Sequence, residues 1–465
     1  MARRLYGDER GRNAARAGGE ESVAGEGGLV GPAKAAARVE EGVAAAPKPL
    51  AGEVAPRLRF DKAVLGNGLA VIGEHNDGAA SVAAGFFVHT GSRDEVKDLS
   101  GVSHFLEHMV FKGNERYTAE DINRTFDELG AQYNAFTSEE RTVYYGAVLP
   151  ERLPQLIDLL AELMRPSLRQ EDFDVEKKVI LEEIAMYEDR PHFHVFDLAA
   201  PRFWAGHPLG NSVLGSRESV GALSRDQMLG YFQGRYSPKN LVLAVAGRYD
   251  WDAVLDQAER IAGSWTPFEA PRERPVATPA TGREGTVDPK LNRVHVAYYA
   301  PGVAMTDSRR YAAAVLGYVL GDATGSRLYW ELVDKGLADS ASLGHEASED
   351  TGAFVGYLST APERAEEVIE RYEGVLRRAQ DEPPTPDEWR RAQRKLASGL
   401  TLRAETPLGR LTSLGATYQS LGVYQSVAEV VDRVMNAQLE TGIELLEGRP
   451  FDASFVYTLG PGRRG

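Results

Sequence analysis

A chain of 465 residues with 43% apolar side chains holds enough material for more than one buried core, and no apolar run approaches the ~18 residues of a membrane span. The net charge of −15 argues against a nucleic-acid partner; beyond keeping the chain soluble, it suits an acidic cavity that draws in cationic peptides. With no cysteine, disulfides and thiol chemistry are excluded, and any metal site must use His, Asp or Glu.

Residues 1–56 are rich in Ala, Gly, Glu and Arg and lack hydrophobic periodicity, so they read as a disordered leader. They contain no apolar stretch of the secretory kind, and Asp8, Glu9, Glu20 and Glu21 argue against a transit peptide. The expected location is cytoplasmic, with periplasm and organelle left open. Regular structure begins at LRFDKAVLGNGLAVIGEHN, where Asn67-Gly68 between alternating apolar runs signals a hairpin. The strand SVAAGFFVHTGS follows.

Next comes His104-Phe105-Leu106-Glu107-His108. Read as a helix, it sets two imidazoles one turn apart on one face, with a carboxylate beside them. Ser103 is the expected cap, Phe105, Leu106, Met109 and Val110 the apolar bulk, and Gly113 the stop. A histidine pair on a helix is more often an accident than a ligand set. Here the order H-x-x-E-H is the inverted zinc-peptidase signature. His104 and His108 are the expected ligands, with Glu107 as the general base that deprotonates the attacking water.

A catalytic zinc needs a third protein donor. In the helix EKKVILEEIAMYED, Glu176 and Glu183 lie two turns apart on a face shared with Val179, Ile180 and Tyr187, whereas Glu182 falls on a wetter face. A carboxylate in an apolar stripe needs a cation. Glu183 is therefore the expected third ligand, and Glu176 the carboxylate that orients a ligand histidine. The plainer alternative pairs both with Lys or Arg. His192 and His194 diverge as an i, i+2 pair on a helix, and His207 sits in the turn GHPLG.

Residues 266–290 are dense in Pro and Gly and read as a linker between domains at 57–265 and 291–460. The two halves look related. YYGAVLPERLPQLIDLLAELM parallels VGYLSTAPERAEEVIERYEGVL, and SVAAGFFVHTG parallels RVHVAYYAPGV. The expected fold is α+β, a pair of related domains, each an antiparallel-rich sheet with helices packed on one face. In the second half the zinc helix is replaced by RRYAAAVLGYVLGDATGSRLYWELVDKG, which lacks the motif. Its glycines do not form a phosphate loop.

HFLEHMVFKG, YNAFTSEERTVYY, EKKVILEEIAMYEDRP and GHPLGNSVLG together resemble the pitrilysin/insulinase family of zinc peptidases, in its compact branch that includes mitochondrial processing peptidase. The likeness spans roughly residues 57–460. It implies the metallopeptidase clamshell half, Zn2+ on His104, His108 and Glu183, Glu107 as base, and an acidic residue at Glu176. It also implies that Asn134, Ala135, Phe136 and Thr137 form an edge strand onto which an extended peptide adds.

One departure stands out. Active single-chain relatives carry an Arg and a Tyr in the second half that stabilise the substrate carbonyl; here LVDKGLADSAS places Val333 and Asp339 there. Neither replaces that pair, and losing one such donor costs about 10²–10³-fold in rate. The expectation is a zinc endopeptidase for unfolded or presequence-like peptides, acting as the zinc-bearing subunit of a dimer whose related partner supplies the Arg/Tyr function. The competing expectation is a non-catalytic assembly subunit.

Overall fold

The computed structural model describes residues 58–462; the expected leader lies outside the described residues. Two mixed, mainly antiparallel sheets organise the chain. The first contains β1 (Leu58–Val64), β2 (Ala70–Asn76), β3 (Val82–Val88), β4 (Gln132–Thr137), β5 (Thr142–Val148) and β6 (Leu241–Gly247), in the order β1-β2-β6-β3-β5-β4. The second contains β7 (Gly282–Val287), β8 (Val294–Gly302), β9 (Ser340–Ala347), β10 (Gly352–Thr360) and β11 (Phe455–Gly460), in the order β7-β11-β8-β10-β9. In each, the earliest core strand runs parallel to the last (β2 with β6, β7 with β11), and the remaining core pairs are antiparallel. The order β2-β6-β3-β5-β4 thus maps strand for strand onto β7-β11-β8-β10-β9. β1 is an addition at the edge.

The duplication extends to the helices. Each half has a strand that passes through Pro-Glu-Arg into a helix, Leu153–Leu163 in the first and Ala365–Asp381 in the second. These helices cover one face of their own sheets. The opposite faces are covered reciprocally. Helix Pro191–Phe203 of the first half presents Val195, Ala199 and Phe203, at i, i+4 and i+8, to Ala297, Tyr299, Val355 and Tyr457 of the second sheet. Helix Pro407–Leu421 of the second half lays Leu411 and Leu414 against Phe87, Val143 and Ala244 of the first. A Cβ on Gly415 would stand 2.3 Å from the Phe87 ring, so the helix can come this close only with glycine there. β3 and β6 are consequently buried along their whole length. The expected helices on one face become helices on both.

The stretch expected as a linker is more structured than its composition implies. Residues 282–287 form β7, parallel to β11. Upstream, Arg272 is buried between the halves, bonding Asp94 of the first and Glu349 of the second.

Candidate metal and catalytic site

The histidine motif lies on helix Val102–Val110. Its N-terminus is not capped by Ser103 as expected. The N-cap is Gly101, at φ 92°, where a Cβ would sit 2.7 Å from the Leu214 carbonyl oxygen. The buried backbone donors at this end are met by a carboxylate from the preceding loop. Glu95 accepts from the Gly101 and Ser103 N–H groups at 2.7 and 2.8 Å, while the Ser103 hydroxyl bonds the Tyr231 hydroxyl at 2.8 Å. Burial pushes the Glu95 carboxyl up to about 8, against the pull of these N–H donors. The helix ends at Val110, and Gly113 comes three residues later in a left-handed turn.

Phe105, Leu106, Met109 and Val110 anchor the helix in the first core, leaving His104 and Glu107 at 1% and 2% exposure. Helix Gln170–Glu188 crosses it, with Phe105 stacked on Phe173 at a ring separation of 4.7 Å. Its buried stripe runs Phe173, Glu176, Ile180, Ile184 and Tyr187. Val179, expected on that face, is 46% exposed, because it precedes Ile180 by one residue and is turned about 100° away.

This crossing brings together the three expected ligands. Glu183 Oε2 lies 3.4 Å from His108 Nε2 and 3.8 Å from His104 Nε2. Zinc bonds of 2.0–2.1 Å at tetrahedral angles separate neighbouring donors by about 3.3 Å, so two imidazole nitrogens and a carboxylate oxygen here fit one such ion. His104, His108 and Glu183 form the one group with donor atoms converging within 4.8 Å among the described residues. Behind it, Glu176 Oε1 lies 2.8 Å from His108 Nδ1 and Oε2 lies 2.5 Å from the Lys112 ammonium. Burial opposes the charge on Glu176, but the bonds from His108 and Lys112 outweigh it and hold the pKa below the ordinary carboxylate value. The alternative of pairing with Lys therefore holds for Glu176, alongside its contact with the histidine.

Glu107 points toward β4. The Thr137 hydroxyl donates to its Oε2 at 2.7 Å. β4 is the outermost strand of its sheet among the described residues. Ala135 faces the core, Phe136 packs on the opposite side beside Tyr145, and the Asn134 side-chain oxygen accepts from the Ala135 N–H at 2.9 Å. Among the other histidines, His192 and His194 sit on helix Pro191–Phe203, outside the metal-ligating group. His207 caps the turn Pro208–Gly210 by accepting from the Leu209 N–H. Val333 and Asp339 line a cavity of about 410 Å³ with His192, Phe193 and Tyr357, and Asp339 pairs with Arg293 at 3.1 Å.

Two contributors, Lys112 and Glu95, were missed in the sequence, and Thr137 was expected only as part of the edge strand, without its bond to Glu107. Lys112 had a readable signal, lying i+4 from His108. Thr137 had a weaker one, a polar residue two positions along the strand from inward-facing Ala135. Glu95 had none, since its role depends on a loop folding back.

Residues 70–217 match the family described as insulinase (peptidase family M16), and residues 222–396 the peptidase M16 inactive domain. An uncharacterized zinc protease of Streptomyces coelicolor is 34% identical over 382 residues, covering 80% of this chain and 83% of its own. The uncharacterized zinc protease YmxG of Bacillus subtilis is 32% identical over 384 residues, covering 80% and 91%. In fold, the chain resembles a protease from Helicobacter pylori (TM-score 0.80, 20% identity, 88% of this chain and 100% of that one). It also resembles a peptidase M16 inactive domain from Pseudomonas fluorescens (TM-score 0.80, 18% identity, 87% and 99%).

Proposed function

The chain belongs to the insulinase family, peptidase family M16, and from that premise we propose that it is a zinc endopeptidase of unfolded or presequence-like peptides. The observation that carries this is the convergence of His104, His108 and Glu183 on one point with Glu107 beside them. His104, His108 and Glu183 would hold the zinc ion, leaving a fourth position open. Zinc supplies, when bound, a Lewis acid that polarises the scissile carbonyl and acidifies water. Glu107 takes the proton from the attacking water and returns it to the leaving amine. Glu176 fixes the tautomer and ring angle of His108 by accepting its Nδ1–H. The outer edge of β4, residues 132–137, offers backbone groups to an extended peptide, and Thr137 ties that strand to Glu107.

Val333 and Asp339 supply no donor for the substrate oxyanion at the two positions where the resemblance expects an Arg and a Tyr. Our reading is that a related partner chain supplies it and that the active species is a dimer. Two measurements test these statements. Glu107→Gln should keep its zinc and lose peptide cleavage; unchanged cleavage would sink the catalytic assignment. The purified chain alone should turn over peptides about 10²-fold or more slowly than when mixed with a related chain carrying the Arg and Tyr. Equal rates would remove the partner from the proposal.

A further inference from the structure

We propose that Lys112 is a positioning residue of the metal site, acting through Glu176 on His108. The inference rests on the reading that His104, His108 and Glu183 bind zinc, and it adds a residue to which neither the family match nor the motif gives a role.

The geometry is a three-member chain. The two oxygens of one carboxylate are divided between two partners, Oε1 to His108 Nδ1 at 2.8 Å and Oε2 to Lys112 Nζ at 2.5 Å. Glu176 is buried, while Lys112 keeps partial access to water. Lys112 follows His108 by four residues, in the turn that continues the chain just past the end of the helix at Val110, and its side chain reaches back to the carboxylate behind the second ligand.

Its backbone is fixed as well. The Lys112 N–H reaches the Met109 carbonyl at 3.1 Å, and the Arg169 guanidinium donates to the Lys112 carbonyl at 2.5 Å. Arg169 is the residue at which helix Gln170–Glu188 starts. The helix with two candidate ligands and the helix with the third are thereby joined at Lys112 by backbone and side chain together.

The electrostatic need is specific. Before the metal arrives, a histidine ready to ligate it is neutral, so its Nδ1–H gives Glu176 a hydrogen bond but no compensating charge. A buried carboxylate with only a neutral donor is under-compensated and tends to turn toward water. The ammonium supplies the missing charge from the far side and keeps the carboxylate aimed at the ring. A ring held in advance loses less freedom when the metal arrives, which raises affinity.

The test measures Zn2+ affinity of the full chain by competition with a chromophoric chelator, without any peptide. Lys112→Met should weaken binding about 10-fold and Lys112→Arg about twofold or less, with Glu176→Gln about 10- to 100-fold weaker. The double variant K112M/E176Q should bind as E176Q does, because the lysine has then lost the group through which it acts. A lysine that only stabilises the fold would change the urea midpoint while leaving affinity intact, and that result overturns the proposal. So would equal losses in K112M and K112R, or an additional 10-fold loss in the double variant. Failure of the wild type to bind zinc would count against the metal-site reading. In that case a crystal structure of metal-free K112M decides the positioning role: Glu176 should swing beyond hydrogen-bond distance from His108, and an unchanged 2.8 Å contact overturns it.

Discussion

At the scale of single residues, the arrangement around Glu107 yields a sharp expectation. Its carboxylate is buried, and the Thr137 hydroxyl holds one of its two oxygens at 2.7 Å. Hydrogen bonds to a charged group are worth about 1.5–3 kcal/mol. A valine at 137 keeps the shape of threonine but removes the donor, freeing the carboxylate to rotate. Thr137→Val should therefore lower kcat about 10-fold with KM within about twofold, and Thr137→Ser should recover most of it. Steady-state kinetics on a fluorogenic peptide separates the two constants. A rise in KM alone would mean that Thr137 serves the peptide strand and leaves the base unaffected.

At the scale of elements, the metal helix depends on how it begins. Gly101 takes a left-handed conformation with a carbonyl oxygen where a Cβ would go. The conformation alone costs a non-glycine residue about 1–2 kcal/mol. Gly101→Ala should lower folding stability by about 2 kcal/mol or more, read from the urea midpoint. The same boundary shows what the sequence could reveal. A four-residue spacing within one helix is local information, so His104, Glu107 and His108 were legible, and the two-turn spacing of Glu176 and Glu183 was legible for the same reason. Ser103 was misread because a serine before an apolar run is the ordinary cap signal, whereas the actual capping group, Glu95, arrives from a loop. β7 was hidden for a similar reason. Its residues GREGTV carry no alternation and are exposed throughout, so only parallel pairing with β11, over 170 residues away, makes them a strand. Internal similarity did reveal the duplicated halves, but not that each lends a helix to the other's sheet.

At the scale of the whole molecule, two kinds of contact tie the halves together, and each predicts how they come apart. The first is ionic. Arg272, 3% exposed, bonds Asp94 and Glu349, and Arg93 bonds Glu140 and Asp350. Burial raises the cost of charge on Glu349, yet His89 at 2.5 Å and Arg272 at 3.0 Å outweigh it and hold its pKa at about 2. A carboxyl with a lowered folded pKa adds stability above its unfolded value of about 4.3, and that stability is lost as pH falls toward about 2. The urea midpoint should therefore drop between about pH 4.3 and 2, and Glu349→Gln should flatten that part of the curve. The second contact is apolar and insensitive to pH. Leu411 belongs by sequence to the second half, but it is fully buried against the sheet of the first. Removing its side chain leaves a cavity in the first half caused by a change in the second, at a cost of about 2–5 kcal/mol. If the exchanged helices make the two halves one cooperative unit, calorimetry of Leu411→Ala should show a single transition displaced to lower temperature. A separate early transition, with the remainder unfolding at the wild-type temperature, would show that the halves fold independently and that the reciprocal helices are only docked.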